Sequence, residues 1–426
     1  MVRPLRCACL AAVLLTLPGF ARAQSIESDL TPESAALARS SDQFAIPDIG
    51  DKALAETSVE DAHDRWSFKL GIAMLFADYT RFEQDDASKA QVGNQQDEFE
   101  ARSLRLMARG YFEWFRKWNY MASYEYKGFA NNPGDPDWAA TDLNVSTEFA
   151  HVGKLTIGKF KEPYVYEMVG DAANLPNTER LLSPFFTSRN VGVQLSNTAF
   201  DQRATWAVGW YNDWWVNGDS FGDSGNDFAA RITALPIWSG DGARYLHVGA
   251  SVRYYGADAD KLRLRGQPAS HVADYYVDTG QLPGDHAWNT GIEALYNDEG
   301  FSVMGEYVTS AVSSRAAGNP NFDGYYLTAA YVITGEHRPY DRRAGYSRRV
   351  LPQGRWGAWE VAVRYGSVDL NDRKVDGGRM DVWSAGVNWW ATRRWKASLT
   401  YGDIDLDRSG LQGNTRTLLS RVQWIY

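Results

Sequence analysis

Six arginines, Arg105, Arg109, Arg231, Arg253, Arg364 and Arg421, occupy alternate positions in segments whose intervening positions are mostly apolar or small. A guanidinium carries a fixed positive charge and a planar fork that pairs with carboxylate or phosphate oxygens. Set along one wall of a water-filled passage, such groups favour anions. The alternative is that each pairs with a carboxylate of the same wall, such as Glu113, Glu125, Glu148 or Glu360, and stiffens it. No reaction centre competes with this pattern. The six histidines are scattered, with no H-E-x-x-H spacing; none is paired with a G-x-S-x-G motif, and no P-loop run is present. An enzyme would need a nucleophile beside a positioned base; no catalytic residue, metal ligand or cofactor is expected.

The elements that hold these arginines follow from composition. The chain has 426 residues, a formal net charge of -9, and 17 Trp, 23 Tyr and 18 Phe, yet its mean hydropathy is -0.43. After the first two dozen residues no apolar run approaches the roughly 20 needed for a spanning helix, which excludes a polytopic helical transporter. The aromatic content excludes a disordered chain, and the acidic total argues against nucleic acid as a partner.

Residues 1–23 read as a secretory signal peptide: Arg3 and Arg6, an apolar run through Leu17, Pro18-Gly19, and Ala21-Arg22-Ala23 for cleavage. Both cysteines, Cys7 and Cys9, lie in it, so the mature chain has no disulfide or thiolate chemistry. Residues 24–65 form an acidic leader, periplasmic or disordered.

From Trp66 the pattern has period two, which puts successive side chains on opposite faces of a strand. Phe68, Leu70, Ile72, Met74 and Phe76 share one predicted face; Leu418, Ser420, Val422, Trp424 and Tyr426 share another at the end of the chain. Segments of ten or more residues exceed the ~5–6 of soluble strands and suit the ~9–11 of a membrane barrel. Tight connections at Lys117-Trp118 and Gly153-Lys154 alternate with long polar ones such as 81–98 and 131–141. The reading is all-β: a transmembrane antiparallel barrel from Trp66 to Tyr426, with a soluble all-β domain as the alternative. At about 22 residues per strand and connection its length predicts sixteen strands around an aqueous channel, Val272 to Asp278 being the doubtful segment.

Glu162 to Ser188, between predicted strands 155–161 and 190–197, is unusually long for a connection without structure of its own. Folded inward, it would constrict the pore and bring Arg180 and Arg189 to its narrowest point.

Several runs here resemble the phosphate-selective porins of the outer membrane. They are Gly158-Lys159-Phe160-Lys161-Glu162-Pro163, Glu179-Arg180, Ser188-Arg189-Asn190-Val191-Gly192-Val193, Val277-Asp278-Thr279-Gly280, Phe322-Asp323-Gly324-Tyr325-Tyr326, the stretch from Thr334 to Tyr340, and Gly357-Ala358-Trp359-Glu360. The resemblance implies a sixteen-stranded homotrimer in the outer-membrane bilayer, with an inward third loop and a ladder of arginines leading small anions, phosphate among them, to a constriction. It implies a place for Arg180 in that constriction. It also matches Arg102 and Arg105 to two positions of an R-R-x-R strand whose middle arginine is Ser103 here. The chain departs from the pattern at Met168 and Asp171-Ala172, where phosphate-binding members carry a lysine and a pair of serines. A general small-solute porin and a loop-plugged structural or adhesive barrel remain as alternatives, and the expected anion pathway is Arg102, Arg105, Arg109, Arg180, Arg189, Arg231, Arg253 and Arg364.

Overall fold

The computed structural model describes residues 56–60, 65–126, 138–212, 225–257 and 260–425. The signal segment, the leader as far as residue 55, most of the 131–141 connection and Tyr426 lie outside them.

Sixteen strands form the wall: β1 (Trp66–Gln84), β2 (Glu98–Glu113), β3 (Lys117–Tyr126), β4 (Trp138–Phe149), β5 (Gly153–Phe160), β6 (Asn190–Ala199), β7 (Ala204–Asn212), β8 (Asn226–Trp238), β9 (Arg244–Gly256), β10 (His286–Asp298), β11 (Phe301–Ser313), β12 (Asn321–Val332), β13 (Ala358–Asp372), β14 (Val375–Trp390), β15 (Trp395–Arg408) and β16 (Leu411–Ile425). Each pairs antiparallel with the next. β16 returns to β1, with Ile425 opposite Met74 and Thr415 opposite Gln84, so the ring closes and leaves no free edge. The expected strand number is met. The doubtful segment belongs to a loop, where only Val277–Asp278 pairs, with Arg265–Gly266. Glu56–Glu60, from the end of the leader, pairs with Ser67–Gly71 of β1 at the end of the ring where β16 has stopped.

The outer face decides between a membrane barrel and a soluble one. Leu70, Leu106, Ile157, Val193, Ile232, Ile292, Leu327, Val363, Leu399 and Val422 point away from the lumen and are exposed, on strands all round the ring. A soluble protein does not present a continuous apolar belt of this extent; a bilayer covers it. Aromatic side chains border the belt, with Trp359 stacked on Trp389 near one rim and Tyr124 stacked on Trp138 near the other.

Alternation fails in one place that matters. The β1–β2 register slips between Ile72 and Met74 and again between Phe76 and Asp78. A bulge adds one residue to one strand and turns over the side chains beyond it. Phe68 and Leu70 face outward, but Met74 and Phe76 are 3% and 4% exposed and face inward. This corrects the expected continuous apolar face from Phe68 to Phe76. At the second slip β2 carries the extra residue, so Arg102 reaches the lumen although it neighbours Ser103, which faces the lumen as well.

At the ring end that holds the last residue of β16, connections are short: 114–116, 150–152, 200–203, 239–243, 299–300 and 391–394. The two predicted tight turns thus lie a few residues earlier than expected. The exception is 333–357, which folds inward around a two-residue pairing of Tyr340–Asp341 with Tyr346–Ser347. The opposite end carries the long connections, including helix α1 (Asp86–Val92), with two-residue turns only at Arg373-Lys374 and Ser409-Gly410. From that end, 161–189 and 257–285 fold into the lumen. Their Met168, Leu182, Phe185, Leu264 and Tyr276 join Val308, Phe322 and Tyr326 of the wall in one buried apolar cluster. The lumen face is therefore less uniformly polar than its alternation suggests.

Candidate functional site

The 161–189 segment enters the barrel because wall carboxylates satisfy its backbone. An unpaired buried N–H is costly, and here carboxylates meet four of them. The Glu306 carboxylate of β11 accepts the N–H of Tyr166 and, at 3.0 Å, that of Glu167, at the start of helix α2 (Tyr166–Val169). Glu167 in turn accepts the N–H of Leu181 at 3.0 Å and of Leu182 at 2.9 Å, and takes a 2.6 Å hydrogen bond from Arg364 of β13. Glu162 receives Arg253 of β9 at 2.5 Å. Asn177 donates to Thr328 of β12, and Thr178 bonds Thr400 of β15. Val165, a β-branched residue at φ 63°, sits in the left-handed region within this brace.

Two cavities meet at the tip of the segment. The larger, about 340 Å³, lies under 257–285 and is lined in part by Arg253, Tyr255, Arg263, Arg265 and Tyr275. The smaller, about 70 Å³, is lined in part by Met74, Phe76, Arg105, Lys161, Asp171 and Arg421. Arg102, Glu179, Arg180 and Ser188 line both and so mark the passage between them. Arg102 donates to Glu179 at 3.0 and 3.3 Å. Arg421 also donates to Glu179, and holds Asp78 at 2.7 and 2.5 Å. Burial alone would raise the Glu179 carboxyl; Arg102 and Arg421 outweigh it and hold the group well below the usual carboxylate range. Arg180 donates to two backbone carbonyls, Glu167 O at 2.7 Å and Gly170 O at 3.3 Å, and has no carboxylate partner among the described residues.

The structure brings Arg102, Arg105, Arg180 and Arg189 together around the smaller cavity and adds Arg253 at the larger one. Most of them are paired: Arg105 with Glu125 at 2.5 Å, Arg189 with Asp142 at 3.0 Å, and Arg253 with both Glu162 and Asp227. Arg364 also donates to the Glu179 carbonyl. Arg231 is held by Glu293 and Gly345 O, away from both cavities, and Arg109 lies in β2 opposite Lys69 and Met121. Of the four wall carboxylates named from sequence, Glu125 and Glu360 are buried in the lumen, whereas Glu113 and Glu148 are exposed near the short turns. Arg421, near the end of the last strand and not among the arginines of the expected pathway, also lines the smaller cavity.

Three further groups lie outside the expected anion pathway: Lys161 and Asp171 stand in stretches quoted from the sequence above, whereas Arg349 carries no signal there. Lys161 ends the Gly158-Lys161 run, and among the described residues its Nζ reaches only Val169 O at 3.5 Å and Gly170 O at 3.3 Å. Burial pushes its ammonium down to about 7. Arg349, in 333–357, is buried and pulled down to about 10 by that burial. Asp171 is the third. Burial would raise its carboxyl, but Lys161, Arg105, Arg180 and Arg189 together hold it below the ordinary value.

A family model described as phosphate-selective porin O and P matches residues 68–426. The chain belongs to this family. Porin O of Pseudomonas aeruginosa is 25% identical over 403 residues, 85% of this chain and 88% of that protein. An uncharacterised protein of Caulobacter vibrioides is 32% identical over 201 residues, covering 44% of this chain and 40% of that one. Among solved structures, the channel DcaP of Acinetobacter baumannii superposes with a TM-score of 0.54 at 11% identity, over 86% of this chain and 99% of its own. An anion-selective porin of Comamonas acidovorans gives 0.52 at 12%, over 85% and 100%. Such low identities speak for the fold alone. With the family and the apolar belt, the chain is a porin of the bacterial outer membrane; its family and its neighbours are channels.

Proposed function

We propose that this porin passes small anions by diffusion, with phosphate or a similar oxyanion resting at the passage marked by Arg180. The observation that carries the reading is that Arg180 lines both cavities while its guanidinium meets, among the described residues, only backbone carbonyls. Its positive charge is open to the solvent path, and an unneutralised guanidinium attracts and orients an oxyanion. Arg102, Arg105, Arg189, Arg253 and Arg364 shape that path, each charge being shared with a carboxylate. Arg109 and Arg231 belong to its flanks. We further read residues 1–23 as a signal peptide, 24–65 as a periplasmic leader, and the working unit as a homotrimer.

A second reading, a small-solute porin without a phosphate site, is favoured by the pairing of most lumen arginines and by Asp171. Single-channel recording separates the two. Reversal potentials in potassium chloride gradients are expected to favour chloride, and added phosphate is expected to reduce the chloride current. Cation preference would sink the first reading; chloride preference without a phosphate effect would leave the second. Arg180→Ala is expected to lower the anion-to-cation permeability ratio several-fold, and Arg416→Ala, on the outer face, to leave it unchanged.

A further inference from the structure

The larger cavity has more room and more apolar surface than an inorganic oxyanion uses. Its volume of about 340 Å³ lies in the range of roughly 300–1,000 Å³ where small organic ligands are held. Phe186, Tyr255 and Tyr275, each partly exposed, line it. Tyr255 comes from β9, Phe186 from 161–189 and Tyr275 from 257–285, so the folding of two inward segments against the wall gathers the three rings. Two of them are backed by cations. The Arg253 guanidinium lies 4.6 Å from the centre of the Tyr255 ring, and that of Arg265 lies 4.1 Å from the centre of the Tyr275 ring. Met168, Pro184 and Leu264 add apolar surface.

The charges of this cavity are placed differently from its rings. Arg253 is matched by Glu162 and Asp227, Arg263 by Asp278 at 2.8 Å, and Arg102 by Glu179. Arg180, at the passage to the smaller cavity, has no carboxylate partner among the described residues. A solute that meets both features carries an anionic head and a flat apolar body. We propose that the larger cavity is a binding site for aryl carboxylates, with the carboxylate at Arg180 and the ring among Phe186, Tyr255 and Tyr275. This rests on the reading of the channel as anion-conducting and names an organic class of solute for it. A carboxylate pairs with the planar guanidinium fork, and an aromatic ring packs offset or edge-on against another ring. A guanidinium behind that second ring holds it in place. Inorganic phosphate and acetate supply the head without the body, and benzyl alcohol supplies the body without the head.

The test reads the single-channel chloride current in planar bilayers as benzoate, acetate or benzyl alcohol is added at about pH 6, where both carboxylates are ionised. Benzoate is expected to halve the wild-type current at a concentration about tenfold below that of acetate, the worth of one good ring contact. Benzyl alcohol is expected to leave the current unchanged. The double variant Tyr255→Leu/Tyr275→Leu keeps the apolar bulk and removes two rings, and is expected to cut the benzoate-to-acetate ratio to about twofold. Tyr275→Phe keeps the ring and is expected to retain the wild-type ratio. Heat-modifiable gel migration checks that each variant folds. Equal half-block by benzoate and acetate in wild type, block by benzyl alcohol as strong as by benzoate, or an undiminished ratio in the double variant would overturn the assignment. Wild-type reversal potential in potassium chloride gradients reads the anion preference separately. Chloride preference with equal half-block would remove the aryl site and leave the function proposed above, whereas cation preference would sink that function whatever benzoate does.

Discussion

At the residue scale, the constriction is a set of charges whose balance decides what passes. Lys161 follows β5 directly, and burial lowers its pKa to about 7, with Asp171 acting against the shift and Arg189 and Arg180 reinforcing it. The ammonium is therefore charged at pH 6 and largely neutral at pH 8. Anion preference measured by reversal potential is expected to fall as pH rises, with a midpoint near 7, and Lys161→Arg is expected to remove that step, because a guanidinium does not titrate there. A pH-independent wild type would show that Lys161 stays fully hydrated. The stability term has a definite sign. A lysine depressed in the folded state disfavours folding below about 7, and that penalty fades as pH rises towards its unfolded value of ~10.4.

At the element scale, 161–189 is a loop by connectivity but is braced as firmly as the wall. Glu167 is its central tie: it closes the segment on itself through Leu181 and Leu182 and fastens it to β13 through Arg364. Removing one member of a buried pair leaves an uncompensated charge and costs about 3–5 kcal/mol. Glu167→Ala is therefore expected to free the loop while the closed ring persists. The measurable signs are a noisier, larger open-channel conductance and trypsin cleavage after Arg180, which wild type resists. A variant with wild-type conductance and protease resistance would show that Glu306 and Glu162 hold the loop without it. The inward 333–357 segment belongs to the same brace: Ser347 bonds the Tyr166 hydroxyl at 2.6 Å, and Arg338 joins Glu360 to the carbonyl of Asn174.

At the scale of the whole molecule, stability comes from a ring without edges in an apolar solvent, and the outer face is where a charge costs most. Leu327 is 58% exposed near the middle of β12. Leu327→Arg is expected to destabilise the barrel by about 2–4 kcal/mol, read as a lower urea midpoint for unfolding from lipid vesicles. Thr328→Ser, at the adjacent lumen position, is expected to change it little. Equal stability of Leu327→Arg and wild type would place that position away from the hydrocarbon.

What the sequence determined by itself is what depends on neighbours along the chain. Alternation is a property of a few consecutive residues, so it showed long strands, an apolar side and an arginine-bearing side, and the strand number followed from length. The span of 162–188 was itself enough to direct attention to Arg180. The tertiary structure alone decided what depends on residues far apart or on a single inserted residue. Bulges at Ala73 and beside Arg102 turn side chains over without leaving a mark on composition. Arg421 finds Asp78 across 343 positions because the ring closes there, and Glu167 finds Arg364 across 197 because the loop folds inward. Nothing in the spacing of arginines along a strand tells which of them will meet a carboxylate. That pairing, which leaves Arg180 without a carboxylate partner among the described residues, exists only once sixteen strands and three inward segments share one lumen.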